Sequence, residues 1–259
     1  MGSLGRGKFL VVDALGWTDA EDDLFATALP RIDPLEKGET YEVVKPKDGE
    51  HLPGTLEEIQ LYDGIVISGS ASSANDEMEW INKLSELIRM IASQDKTRLV
   101  GICFGHQLVA KALGGCVIKQ DKFILQPERI EPSSRLWTAN VSGGSQLLLE
   151  SHGDQVSSAP PGAEVLASST TAKIESMAVR SAKGDGRVVV WTLQAHPEMP
   201  APLLLDRVLP RVAKQTEDGG QRARERLLAF NANDARVMMK AVKSFLVSGW
   251  SNPNPYSNS

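Results

Sequence analysis

Few residues in this chain are suited to covalent or metal chemistry. Of 259 residues, two are cysteine and four are histidine. Cys103 and Cys116 are spaced unlike any zinc-ligand pair, so no metal site is expected from them. There is no excess of basic charge. Lys and Arg total 28 against 33 Asp and Glu, a formal net charge of -5, which argues against a general nucleic-acid footprint. No run of 18 apolar residues exists, so no membrane-spanning helix is expected. The opening Met1-Gly2-Ser3-Leu4-Gly5-Arg6 is not a secretory signal, because the apolar Leu10-Val11-Val12 is too short and runs straight into Asp13. It also misses the myristoylation pattern at Arg6. A cytoplasmic protein is the expectation, since an oxidising compartment would endanger a working thiol. There is no phosphate-binding Gly-x-x-x-x-Gly-Lys-Ser/Thr loop, no internal repeat and no sign of a second domain.

What is present is an alternation of strands and helices. Lys8 to Asp13, Tyr41 to Lys45, Gly64 to Ser68 and Arg98 to Ile102 read as strands, the third buried on both faces because its apolar run is unbroken. Thr18 to Leu29 reads as a helix closed by Pro30, and Asp76 to Gln94 as an amphipathic helix with Ile81, Leu84, Ile88 and Ile91 on its core face. From Gly115 to Trp191 the pattern becomes short strands and turns. Ser142-Gly143-Gly144-Ser145-Gln146 is one such turn. Pro202 starts a short helix that Pro210 interrupts. Thr216 to Gly220 is a polar break, and Gln221 to Val247 reads as one long helix with Leu227, Phe230, Val237, Ala241 and Phe245 inward. Residues 1–250 are expected to form one domain, and the polar, proline-rich 251–259 a disordered tail.

The chemistry concentrates at Gly101-Ile102-Cys103-Phe104-Gly105-His106-Gln107. A strand leads into a sharp turn with glycines flanking a cysteine, and a helix follows: the layout of a nucleophile elbow. Glycines are needed where crowding leaves no room for a Cβ. The turn places the thiol at a helix N-terminus, whose dipole favours thiolate. Among the histidines, His196 suits the role of base. It follows the buried run Val188 to Gln194, at the carboxyl end of a strand, where open α/β sheets place their chemistry. Glu198, two residues on, faces the same side of an extended chain and can orient the imidazole, with Pro197 stiffening the link. His106 reads as structural, His51 as a solvated loop residue and Cys116 as a small core residue.

Four segments in order, Val66-Ile67-Ser68-Gly69-Ser70, the elbow, Ser151-His152-Gly153-Asp154 and Gln194-Ala195-His196-Pro197-Glu198, make residues 8 to 200 resemble the class I (triad) glutamine amidotransferases. The resemblance implies a flavodoxin-like α/β fold: an open, mostly parallel sheet flanked by helices, with a small antiparallel flap and a C-terminal helix. It implies Cys103 as nucleophile, His196 as general base and acid, and Glu198 as orienter. Backbone N–H groups of Phe104 and of the Gly69-Ser70 turn would form the oxyanion hole, and Gln107 with backbone near His152 and Gly153 would contact the glutamyl group. No cofactor is implied. Ser68-Gly69-Ser70 and the elbow are similar to stand-alone plant γ-glutamyl peptidases, which cleave γ-glutamyl bonds of glutathione-type conjugates, whereas Ser151-His152-Gly153-Asp154 is similar to guanylate-synthase glutaminases. Three functions stand: a γ-glutamyl hydrolase working alone on a small molecule, a glutaminase subunit passing ammonia to a separate synthase, or an inactive relative used for binding. The intact triad argues against the last.

Overall fold

The computed structural model describes residues 7–16, 37–216 and 218–250. The helix expected over Thr18 to Leu29 and the tail 251–259 lie outside the described residues. Among the described residues nine strands form one sheet. β1 (Lys8–Val12), β2 (Thr40–Val44), β3 (Gly64–Ile67), β4 (Arg98–Ile102) and β9 (Val188–Leu193) are parallel, in the order β2-β1-β3-β4-β9. The sheet continues through antiparallel β8 (Ser176–Arg180), β7 (Glu164–Ser168), β5 (Cys116–Pro132) and β6 (Gln146–Ser158).

The inner parallel strands β1, β3, β4 and β9 are largely apolar on both faces because both faces are covered, whereas β2 is an edge strand with Thr40 and Glu42 exposed. In β4, Leu99 joins one core and Val100 and Ile102 the other; in β9, Val189 and Val190 join the first, Trp191 and Leu193 the second. α1 (Leu56–Ile59) is opened by a reciprocal Thr55/Glu58 capping box. α2 (Glu79–Ala92) buries Ile81, Leu84, Ile88 and Ile91 as its spacing predicts. It begins three residues later than expected, because Asp76 is held in a turn, its Oδ2 accepting from Ser73 N–H at 2.9 Å. α3 (Phe104–Ala112) follows the elbow, and α4 (Arg135–Asn140) connects β5 to β6.

Three expectations need correction. The flap is made of two long strands, β5 with 17 residues and β6 with 13, not short ones. The long C-terminal helix is two: α5 (Gln221–Leu228) and α6 (Asn233–Ser248). Asn231 Oδ1 accepts from Asn233 N–H at 3.1 Å, a local turn that competes with the helical ladder. The break shifts the phase, so Met238, Met239 and Val242 face the core beside Phe245, and Val237 is only half-buried. Pro210 does not stop its helix. Helical turns at Ala201–Leu203 and Leu209–Val212 are joined by a π-turn, Leu204–Val208, in which Leu209 N–H bonds to Leu204 O. The wider turn accommodates the residue that lacks an N–H.

Candidate active site

β4 ends at Ile102 and α3 begins at Phe104, so Cys103 alone makes the turn. It has φ 51° and ψ -102°, and among the described residues it is the one non-glycine with positive φ. That conformation is strained for an L-residue and is kept only where surroundings enforce it. The surroundings are backbone. A Cβ on Gly101 would lie 2.7 Å from the carbonyl of Gly105, and a Cβ on Gly105 would lie 2.5 Å from Ile67 O. Cys103 N–H bonds to Leu193 O at 2.8 Å and Gly105 N–H to Ser68 O at 3.2 Å, which lock the elbow between β3 and β9.

His196 follows β9, and its N–H bonds to Leu149 O on β6 at 2.8 Å. Its Nδ1 lies 2.7 Å from Glu198 Oε1, and the pair is buried. Its ring edge bearing Cε1 and Nε2 and the Cys103 Cβ face the same point beside Gly69, and both residues line one cavity. Burial alone would lower the pKa of His196. The Glu198 carboxylate and the Cys103 sulfur outweigh it and hold the imidazole well above its ordinary value. The structure thus brings together all three residues of the expected triad.

The turn after β3 passes close by. A Cβ on Gly69 would sit 2.9 Å from His196 Cε1 and 3.7 Å from Cys103 Cβ. Ser68 Oγ donates to Gly69 O at 2.9 Å and accepts from Ala14 N–H at 2.8 Å, fixing the direction of that carbonyl. Phe104 is fully buried beneath the elbow, and Ser70 lines the cavity above it.

Ser151-His152-Gly153-Asp154 lies within β6 rather than at a strand end. Opposite Gly153 the partner strand bulges: Lys119 pairs with Asp154 and Ile124 with His152, so residues 120–123 are extruded. Phe123 from this bulge lies 3.3 Å from where a Cβ on Gly153 would be. Ser151 O is 3.7 Å from Cys103 Sγ. Gln107 Nε2 donates to Asp154 O at 2.8 Å and to Gln194 Oε1 at 3.1 Å, so both its amide hydrogens are held, one of them tying α3 to the flap. Asp154 Oδ2 accepts from Ser73 Oγ at 2.6 Å, joining the flap to the loop beyond Ser70.

Together these elements enclose a cavity of about 630 Å³, the size of a small-molecule site. Cys103, Gln107, His152, Gly153 and His196 form its floor and one wall. A second part of the lining was not foreseen from sequence: Phe123 comes from the bulge, Lys119 from the ladder pair just before it, and Arg207 and Arg211 from the helical turns after residue 200. The signal was there in the i, i+4 pairing of Arg207 with Arg211 and of Val208 with Val212, which a single-faced helix would present together.

The remaining expectations divide. His106 is structural: fully buried, it bonds Thr192 Oγ1 at 2.7 Å and Ile174 O at 3.1 Å, and burial lowers its pKa to about 3. His51 is exposed, 3.6 Å from Glu58. Cys116 is exposed, not a core residue. Gly115 before it is pinned, since a Cβ there would lie 2.5 Å from Ser158 O, and the chain leaves that contact with Cys116 facing out. Among the described residues no group of three His, Cys, Asp or Glu is arranged to hold a metal ion, and no helix is long and apolar enough to cross a membrane.

Comparison with known proteins identifies the family of the chain. The family described as "Glutamine amidotransferase class-I" matches residues 36–202. The chain is 27% identical over 221 residues to gamma-glutamyl peptidase 4 of Arabidopsis thaliana, covering 82% of this chain and 83% of that one. It is 32% identical over 166 residues to a glutamine-hydrolyzing GMP synthase subunit of Saccharolobus solfataricus, covering 62% and 78%. In fold it is similar to a glutamine amidotransferase of Thermotoga maritima, with TM-score 0.72 at 19% identity over 94% of this chain and 99% of that one.

Proposed function

Because the chain belongs to the class I glutamine amidotransferase family, we propose that it hydrolyses γ-glutamyl amides through a γ-glutamyl thioester on Cys103. The observation that carries this reading is that Cys103 and His196 line one cavity, with buried Glu198 Oε1 2.7 Å behind His196 Nδ1. The Cys103 thiol gives its proton to His196 Nε2 as its sulfur attacks the γ-carbonyl carbon, and the carbonyl π-pair moves to oxygen. His196 gives its Nε2 proton to the leaving amine as the tetrahedral intermediate collapses to thioester. Water, deprotonated by His196, then attacks the thioester. The thiolate departs and glutamate is released. Glu198 holds the Nδ1–H tautomer throughout.

The oxyanion site follows from the Gly69 peptide. In a trans peptide the carbonyl and the next N–H point in opposite directions. With Gly69 O held by Ser68 Oγ, the Ser70 N–H is directed the other way, towards the cavity that Ser70 lines. Phe104 N–H, the first of α3, supplies the second donor. A hole formed in this way needs no partner to complete it, which supports the reading of a hydrolase that works alone.

The wall of Lys119, Arg207 and Arg211 supports a leaving group larger than ammonia that carries negative charge, as a γ-glutamyl conjugate with a free carboxylate does. The similarity to a GMP synthase subunit favours a second reading, in which the leaving group is ammonia and a separate synthase receives it.

The test is incubation of purified protein with glutamine, glutathione and glutathione S-conjugates, followed by mass spectrometry of product and enzyme. Glutamate release from a conjugate, with a glutamyl adduct on the Cys103 peptide, is expected. A chloroketone analogue of glutamine should label Cys103 alone, while a general thiol reagent also labels exposed Cys116. Turnover seen only after adding a cell extract would transfer the assignment to the synthase-partnered reading.

A further inference from the structure

Behind the cavity wall lies a buried set of acids that this reaction does not use. Glu150, on β6, and Glu175, just before β8, are at most 1% exposed, and each carboxyl shifts the ionisation of the other. Two carboxylates offer acceptors only, so a bond between them needs a proton. Glu150 Oε2 also lies 3.3 Å from Nε2 of the buried His152. The far side of that ring settles its tautomer. His152 Nδ1 is 3.0 Å from Asp154 O, a carbonyl that can only accept, so Nδ1 carries the hydrogen. In a neutral ring Nε2 is then an acceptor facing a second acceptor.

With both acids ionised, Glu150 Oε1, Glu150 Oε2, Glu175 Oε2 and His152 Nε2 are buried polar atoms with no hydrogen-bond partner among the described residues. Leaving four such atoms unsatisfied would be costly. Two protons remove the problem. Glu175 Oε1 already accepts from Ser169 Oγ at 2.5 Å, which leaves Oε2 of Glu175 to carry a proton for the unsatisfied Glu150 Oε1. Oε2–H of Glu150 donates to His152 Nε2. An ion pair with protonated His152 would use the same protons, but dry surroundings favour the neutral form.

We propose that Glu175, Glu150 and His152 form a buried proton relay whose hydrogens position the β6 wall of the active site, with Glu150 as its pH-sensitive positioning residue. His152 passes the restraint on through Asp154 O, which binds Gln107, and through Ser151 O, which faces the Cys103 sulfur. The groups facing the relay are His196 and Glu198 after β9, Glu128 on β5, Asp154 on β6 and Ser169. Glu128 is held by Gln126 Nε2 and Thr170 Oγ1. Burial is the main cause that raises Glu150 to about 8, with Glu128 and Glu198 raising it further and His196 opposing. Burial likewise raises Glu175 and lowers His152 to about 4. The relay is therefore intact at neutral pH. It breaks when Glu150 ionises and turns a charge towards Nε2.

One arm of the test does not depend on the proposed reaction. The folded chain holds a proton on Glu150 that the unfolded chain loses above the ordinary carboxyl range. Melting temperature should then fall as pH rises from that range to about 8. Glu150→Gln keeps a donor for His152 and cannot titrate, so its slope should be visibly flatter. The infrared carboxylic-acid band of the wild type at neutral pH should weaken in the same variant. The second arm rests on the γ-glutamyl reading. Glu150→Leu should raise KM about tenfold with a smaller change in kcat, the scale of one buried hydrogen bond, and Glu150→Gln should restore most of it. Above pH 8 the wild-type KM should rise and that of Glu150→Gln should not. Should Glu150→Leu fail to fold, Glu175→Gln replaces it. An unaltered melting slope in Glu150→Gln, or no acid band in the wild type, overturns the relay. A chain inert on every γ-glutamyl compound overturns the reaction instead, and the melting slope and acid band then decide the relay.

Discussion

The two walls of the cavity are built on different principles. The floor, from β3, β4 and β9, is held by backbone: Cys103 and Gly105 are hydrogen-bonded through their main chain to β9 and to the residue after β3, and glycines at 101 and 105 leave no space for a side chain. The other wall, from β5 around its bulge and the helical turns of Ala201–Val212, is made of long side chains, Lys119, Phe123, Arg207 and Arg211. Arg211 Nη1 donates to Arg207 O at 2.6 Å, so even its internal ties run through a flexible side chain. Backbone cannot give way by the few tenths of an ångström that would misplace a reacting atom, whereas side chains can. Chemistry therefore sits on the first wall, and recognition of the leaving group is left to the second.

The difference can be broken from the floor first. Cys103→Ala should abolish turnover, and His196→Ala should cost nearly as much, because the members of such a unit act together. A calorimetric scan should show the fold persisting. Activity above a few per cent in Cys103→Ala would exclude covalent catalysis at this residue. Gly69→Val should lower kcat by about 10²–10³, the scale of one lost oxyanion donor. Its Cβ would fall 2.9 Å from His196 Cε1, displacing ring or turn. Glu198→Gln should reduce kcat by about 10- to 1000-fold, less than the ~10⁴ of a full tautomer reversal, since Cys103 also holds the imidazole in place. A wild-type rate in Glu198→Gln would assign the orienting role elsewhere. The smallest effect belongs to the second wall. Arg207→Ala with Arg211→Ala should raise KM about tenfold for a conjugate with a free carboxylate and leave glutamine nearly untouched. Equal loss on both substrates would mean that these arginines shape the wall rather than read the leaving group.

The floor was also the legible part of the sequence. β4 falls on Arg98–Ile102 as its apolar run predicts, and the elbow and the His-Pro-Glu segment each lie in a few consecutive residues, so their geometry is local. Elsewhere local pattern misled where distant contacts intervened. Cys116 looked like core because it is small and follows two glycines, yet it faces out because Gly115 is pinned against Ser158 O. The C-terminal helix looked continuous because nothing in its spacing shows that Asn231 will bond to Asn233 N–H. Pro210 looked like a stop because the π-turn that absorbs it is set by packing.

By itself the sequence determined the parallel strands, the elbow and the three residues that meet at it, because short-range sterics and strand periodicity act within a few residues of chain. Only the tertiary structure decided what faces them. The β5 bulge opposite Gly153, the arginines of the segment after residue 200 and the approach of Glu175 to the Glu150–His152 pair join residues far apart in the chain. Their meeting depends on which surfaces are buried together, and burial is also what places protons on acids that would be ionised in water.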